Sequence, residues 1–404
     1  METLYNAYIR SSGICIDSRK VTPNCLFFCL KGDRFNGNDF ALEAIQQGAL
    51  FAIVDEDRNW KSAQVIRVAD CLKTLQDLAL FHRKLLHIPV IGLTGSNGKT
   101  TTKELFREVL SEKYQVRATI GNLNNHIGVP LSILSITKQD EIAIIEMGAN
   151  AQKEIEFLAS ISLPSIGYIT NFGLAHLEGF GGEQGVIKGK SELYENLRFS
   201  QSQVLVNIDD PLQLKNTEGM SRVLFGSTAD SPYTIQLENP SKNISVRWQG
   251  HLIQSQLTGA YNFSNIAAAI SVGVLFEVPS KNIIHALENY APKNHRSQWQ
   301  KGNFNALIVD CYNANPSSMS LALDNLQLQT QPTAAILGDM FELGEYSQNE
   351  HQKIIDHAVQ LNIDTLIFVG DHFARCKIPQ TAHCFKTTQE AMESLKNHPI
   401  KEHT

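Results

Sequence analysis

The chain has 404 residues, 43% of them hydrophobic and 19% charged, with a formal net charge of -6. That length allows roughly two to four domains, and the composition excludes wholesale disorder. With no basic surplus, neither nucleic acid nor an anionic membrane is expected as a partner, and the absence of a signal-peptide pattern or a bilayer-length apolar run points to a cytoplasmic protein without membrane insertion.

Apolar strand-like runs alternate with amphipathic helical stretches, the pattern of parallel sheets with helical crossovers. CLFFCLKG, FALEAIQQGA and LFAIVDED read as strand, helix and strand, and CLKTLQDLALFHRKLL as a further helix. His87-Ile88-Pro89 interrupts that helical character, because proline lacks the amide donor and restrains its predecessor. A first domain over residues 1–86 is therefore expected. A second, 87–292, opens with VIGLTGSNGKTTTKELFREVL and holds further buried-type strands at EIAIIEMGA and SIGYITNFG. Pro292 marks its end. A third, 293–404, shows strands at FNALIVDCYN, TAAILGDM and DTLIFVGD, the pattern of a smaller doubly wound unit. The seven cysteines form no CxxC pair, which suggests free thiols in a reducing compartment.

The sharpest motif is Thr94-Gly95-Ser96-Asn97-Gly98-Lys99-Thr100-Thr101, set between a strand and a helix. Small residues let backbone N–H groups turn inward around phosphate oxygens, and the helix N-terminus adds partial positive charge. Lys99 can reach the outer phosphates and the Thr100 hydroxyl can ligate Mg²⁺. Leu93 stands where the longer form of this loop has glycine, with Gly92 one place off, so this is a shortened variant.

Glu146 ends the run EIAIIE, and a carboxylate at the C-terminal end of a central strand lies beside the crevice of an α/β sheet. It is a candidate Mg²⁺ ligand, although a strand-end glutamate is as readily a surface group. His176 follows the strand YITNFG; a lone histidine is more often structural, but this position favours function. Lys190, in IKGKSELYENL, reads from spacing alone as a solvated helix-start lysine. A carbamate on its neutral amine would instead suit a metal ion.

TGSNGKTT, IIEMGAN, TNFGLAHLEGFG, KGKSELY, YNFSNIAAA, HRSQW and DCYNANP occur in an order that resembles the Mur ligase family. DSRKVTPNCLFFCLKGDRFNGNDF, TIGNLNNHIGVPLSIL and LGDMFELGEYSQNEHQ are similar to the member that joins D-alanyl-D-alanine to UDP-N-acetylmuramoyl-tripeptide. The resemblance implies an α/β protein of three domains: a small N-terminal domain for the UDP-muramoyl substrate, a central P-loop ATPase-like parallel sheet, and a C-terminal Rossmann-like domain that closes on ATP and binds the dipeptide. It implies a monomer in peptidoglycan precursor synthesis, using ATP and two Mg²⁺ ions.

By position, the resemblance carries ATP phosphates to residues Gly95 to Thr101 and Mg²⁺ to Thr100, Glu146, His176 and a carbamylated Lys190. Asn262 and Asn265 would lie near the base, Arg296 at the γ-phosphate, Asp310 at the ribose and Asn313 beside them. Asp17, Ser18, Arg19 and Lys31 would serve the UDP-sugar, and Asn122, Asn124, Asn125 and His126 the muramoyl-peptide. Lys99, His176, Lys190 and Arg296 would carry the catalysis. Another amino-acid ligase of the same family, or a nucleotide-binding protein without catalysis, are the competing readings.

Overall fold

The computed structural model describes residues 1–230, 232–240, 243–292, 298–329 and 332–404. Arg296 lies outside the described residues. Contacts divide the chain into two compact units. The first holds Met1–Gly92, Tyr114–Gly148 and Glu156–Ile166; the second holds Leu93–Lys113, Ala149–Ile155 and Gly167–Thr404.

In the first unit a parallel sheet runs in the order Ile14–Cys15, Leu26–Phe28, Phe51–Val54, Val65–Arg67. Leu26, Phe27 and Phe28 are wholly buried, which explains their unbroken apolar run: a parallel strand covered on both faces has no polar side to show. Asp70 caps the helix Cys71–Leu85 by accepting from Lys73 N at 2.8 Å, and the helix stops before Pro89. The strand Val116–Ala118 pairs in parallel with Ile142–Glu146. Ala143 N donates to Pro89 O at 3.1 Å, so Ile142–Glu146 starts beside the chain entering Val90–Thr94.

In the second unit Thr170 N donates to Thr94 O at 2.9 Å, which brings the two strand exits Thr94 and Thr170 side by side. Gln203–Asn207 and Arg222–Phe225 pair in parallel. Ile235–Asn239, Ser245–Trp248 and His251–Gln254 form an antiparallel sheet. The helix Phe263–Leu275 is buried over Asn265–Gly273 and packs on Lys99–Ser111, so a helix apolar all round is a core helix here.

The strands of residues 298–404 divide differently from a single doubly wound sheet. Ala334–Gly338, Thr365–Val369 and His383–Phe385 pair in parallel. Ala306–Val309 pairs antiparallel with Gln298–Lys301 instead. The chain end lies between the two groups. Ala306 N donates to His403 O at 3.1 Å, and Ala334 N donates to Thr404 O at 2.8 Å.

Candidate functional site

The strand Val90–Thr94 delivers the chain into a loop that glycine makes possible. Gly95 has φ +142°, and a Cβ there would stand 1.9 Å from Thr170 Oγ1. Gly98, at φ +79°, heads the helix Lys99–Ser111. The loop is tied to the strand exit beside it. Ser96 N donates to Asn171 O at 3.1 Å, Ser96 Oγ to Gly173 O at 2.6 Å, and Asn97 N to Asn171 Oδ1 at 3.0 Å. Thr170 Oγ1 donates to Asn97 O at 2.6 Å. Lys99 Nζ donates to Gly95 O at 2.7 Å and Ser96 O at 2.9 Å, folding its ammonium back over the loop. A fixed glycine turn with an ammonium over it and a helix start behind it fits the phosphates of a nucleotide. Behind the loop, Thr102 Oγ1 donates to Asn265 Oδ1 at 3.0 Å and Asn265 Nδ2 to Asn262 Oδ1 at 2.8 Å. Both asparagines thus buttress the helix that follows the loop.

His176 and Lys190 share the second unit with this loop. His176 adopts φ +55°, and its Nδ1 pairs with the Glu342 carboxylate. Burial, aided by the charges of Lys190 and Lys99, lowers its pKa, and Glu342 opposes the shift. Lys190 is only 1% exposed, on the helix Glu183–Phe199. Its Nζ donates to Ala149 O at 3.1 Å and lies 4.9 Å from the Phe180 ring centre. Burial first, and the Lys99 charge second, push its pKa well below the ordinary lysine value, against Glu154 and Glu192. The solvated lysine suggested by spacing is therefore not what the fold makes: the helix turns this side chain inward. The mutual influence of Lys99, His176 and Lys190 brings three expected site residues into one electrostatic cluster.

Among the described residues no three His, Cys, Asp or Glu side chains form a metal-holding group. A divalent ion at this site would draw oxygens from Thr100 and from a bound triphosphate, which fits the preference of Mg²⁺ for few protein ligands. An ammonium cannot ligate it, whereas a carbamate on Lys190 could.

In the first unit Glu146 is 1% exposed at the end of its strand, not a surface group. It accepts from Asn124 Nδ2 at 2.9 Å, so two expected residues meet there. Asn125 spends its Oδ1 on the turn that enters the helix Gly128–Leu134, accepting from Ile127 N at 3.1 Å and Gly128 N at 2.9 Å. His126 O accepts from Gln76 Nε2 at 3.1 Å, and Asn122 is exposed. Asp17 caps the turn Ser18–Lys20 and pairs with Arg19, which holds the Asp17 carboxyl down at about 2. Lys31 pairs with Asp55 at 2.9 Å and Glu56 at 3.4 Å. In the second unit Asp310 and Asn313 are exposed. A cavity of about 610 Å³ opens at the ends of Ala334–Gly338 and Thr365–Val369, lined by Asp339, His372, Lys386 and Thr387 among others.

Three segments match domain descriptions: residues 10–83 "Mur ligase family, catalytic domain", 93–273 "Mur ligase middle domain" and 295–399 "Mur ligase, glutamate ligase domain". The UDP-N-acetylmuramoyl-tripeptide--D-alanyl-D-alanine ligase of Treponema pallidum is 34% identical over 377 residues, covering 90% of this chain and 82% of that protein. This chain belongs to the Mur ligase family. The ligase of the same name from Bacillus subtilis is 33% identical over 84% of this chain and 76% of its own length. The crystal structure of MurF from Acinetobacter baumannii superposes with a TM-score of 0.87 at 29% identity, covering 100% of this chain and 93% of that one. MurF from Thermotoga maritima, solved in complex with ADP, gives 0.85 at 25% identity over 98% of this chain and 93% of its own.

Within this Mur ligase the structure adds residues that motif reading passed over. Asn171 and Thr170 hold the loop, Asn315 and Ser317 touch it and its neighbour Leu174, and Glu342 holds His176. Only Asn315 carried a local signal, an asparagine directly before Pro316 at a helix start. His351, on the helix Ser347–Gln360, is wholly buried; its Nε2 accepts from Met340 N at 3.0 Å and its Nδ1 bonds Ser347 O at 2.7 Å. It braces the turn after Ala334–Gly338.

Proposed function

We propose that this chain is the ATP-dependent ligase that adds D-alanyl-D-alanine to UDP-N-acetylmuramoyl-tripeptide in peptidoglycan precursor synthesis. The observation that carries the reading is the cluster of Lys99, His176 and Lys190 around a glycine-built phosphate loop. A carboxylate and a triphosphate are both anions, so their reaction needs concentrated positive charge; Lys99 offers it directly, and His176 and Lys190, pushed toward their neutral forms, are suited to hold Mg²⁺, which would add to it.

The tripeptide carboxylate attacks the γ-phosphorus and ADP leaves, giving an acyl phosphate. The dipeptide amine then attacks the acyl carbon, inorganic phosphate leaves, and the amine loses its proton. Lys99 holds the phosphates, and Arg296 is proposed to meet the γ-phosphate. Residues Gly95 to Thr101, Asn262, Asn265, Asp310 and Asn313 are proposed to hold ATP. Thr100, Glu146, His176 and a carbamylated Lys190 are the proposed Mg²⁺ ligands; bound Mg²⁺ would offset charge on the phosphates. The depressed Lys190 pKa supports the carbamate, because only a neutral amine captures CO₂.

Asp17, Ser18, Arg19 and Lys31 are proposed for the UDP-sugar, and Asn122, Asn124, Asn125 and His126 for the muramoyl-peptide. The cavity bounded by Asp339 and Lys386 is the proposed seat of the dipeptide. A three-domain division near residues 86 and 292 is supported by the matched segments 10–83, 93–273 and 295–399. A monomer working in the cytoplasm completes the reading; no described helix is long and apolar enough to cross a membrane.

Phosphate release with UDP-N-acetylmuramoyl-tripeptide and ATP tests it against D-alanyl-D-alanine, meso-diaminopimelate, L-lysine and glutamate. Only the dipeptide is expected to accelerate release. Preference for another amine would reassign the chain within the family, and no amine dependence would remove the ligase activity.

A further inference from the structure

The phosphate loop is held from a second direction. Asn315 opens the helix Pro316–Gln327 and caps it, its Oδ1 accepting from Ser318 N at 2.9 Å. The same side chain donates from Nδ2 to Asn97 Oδ1 at 2.8 Å. Asn97 Nδ2 stands 3.4 Å from Asn315 Oδ1 in return. Nearby, Leu174 N donates to Ser317 Oγ at 2.8 Å. Asn315 is 7% exposed and Asn97 is half-buried, so this amide pair is partly shielded from water.

The Asn97 backbone is committed elsewhere. Its N–H goes to Asn171 Oδ1, and its carbonyl accepts from Thr170 Oγ1 and, at 3.0 Å, from Asn171 Nδ2. The side chain is what joins the loop tip to a helix cap 218 positions later.

We propose that Asn315 is a positioning residue for the phosphate loop, holding Asn97 so that the nucleotide-receiving form of the loop and the docking of the helix Pro316–Gln327 stabilise each other. This rests on the ATP-ligase reading. Asn315 touches the loop and not the reacting atoms. Because coupling between two equilibria is reciprocal, a bound nucleotide tightens the helix contact by the factor that the contact tightens the nucleotide. One net hydrogen bond of ordinary strength corresponds to about a two- to tenfold change in an equilibrium constant.

The full chain separates this from simple helix capping. Asn315→Ser keeps a good capping oxygen but is too short to reach Asn97. Asn97→Ala leaves the cap intact and removes the partner. Binding of ADP with Mg²⁺, measured by calorimetry, should weaken about two- to tenfold in each single variant. The double variant should bind no more weakly than Asn97→Ala alone. Without nucleotide, amide exchange at Leu174 and in the first turn of Pro316–Gln327 should quicken in Asn97→Ala. Parental affinity in Asn315→Ser, losses that multiply in the double variant, or unchanged exchange at Leu174 would each overturn the proposal. A parent chain that binds no ADP sinks the ligase reading instead, and the exchange measurement then decides the docking by itself.

Discussion

At the scale of single residues, Lys99 and Lys190 are two ammonium groups with opposite relations to water. Lys99 folds onto its own loop carbonyls and is the cation of the phosphate loop. Lys99→Ala should cut amine-dependent phosphate release at least about a hundredfold, the scale of losing one preorganised electrostatic contact, while chemical denaturation stays within about 0.5 kcal/mol of the parent. Near-normal turnover would refute its role. Lys190 binds its proton less tightly in the folded chain than in the unfolded one, because burial and Lys99 oppose it. Between that lowered pKa and the ordinary value of about 10.4 the unfolded chain holds the extra proton, so raising pH through this window stabilises the fold. Lys190→Met removes that linkage. Denaturation midpoints followed in bicarbonate-free buffer should climb with pH in the parent and run flatter in Lys190→Met, which should also be inactive. Equal slopes would show that Lys190 does not sit in the fold as described.

At the scale of elements, the helix Glu183–Phe199 can carry Lys190 inward because it has glycines where another helix presses against it. A Cβ at Gly185 would stand 1.8 Å from Phe180 O, and one at Gly189 would stand 2.4 Å from the Phe180 ring. Gly185→Ala should therefore destabilise by at least about 1–3 kcal/mol, read as a shifted urea midpoint with unchanged slope. A parental midpoint would mean that Leu177–Phe180 packs elsewhere. These local features were legible in the sequence: the phosphate loop lies within one strand–turn–helix, and the buried strands announce themselves by continuous apolar runs. What was not legible depends on partners far along the chain. His176 and Glu342 are 166 positions apart, and nothing in either neighbourhood marks the pair. The end of the chain likewise reaches far back, with Ala306 N donating to His403 O and Ala334 N to Thr404 O, although the local pattern of residues 403 and 404 does not read as a strand. Lys190 looked solvated because its immediate neighbours do not show what meets its ammonium end, the Ala149 carbonyl and the Phe180 ring.

At the scale of the molecule, the two compact units make the ligase reading testable without turnover. The phosphate loop, Asn171, His176 and Asn315 all belong to the second unit, whereas Asp17, Arg19, Lys31 and Asn124 belong to the first. A ligand that binds the folded form alone stabilises it by about 2.7 kcal/mol at a hundred times its dissociation constant. Protection from amide exchange should follow the residues each ligand touches. ADP with Mg²⁺ should slow exchange over residues 95–102 and 171–176, and leave the sheet of Leu26–Phe28 and Phe51–Val54 at its parental rates. UDP-N-acetylmuramoyl-tripeptide should slow exchange around residues 17–19, 31 and 122–126 even when no nucleotide is present. Arg19 lends itself to a variant here because its side chain is 85% exposed and pairs with Asp17, two positions away. Arg19→Ala should leave the fold intact within about 0.5 kcal/mol, since an exposed ion pair contributes little. It should still weaken the UDP-substrate several-fold without changing ADP affinity, because a guanidinium that adds little to folding is available to bind an anion. If both ligands protected the same residues, or if Arg19→Ala weakened ADP and the UDP-substrate alike, the assignment of substrate recognition to the first unit would fail while that of the phosphate loop would stand.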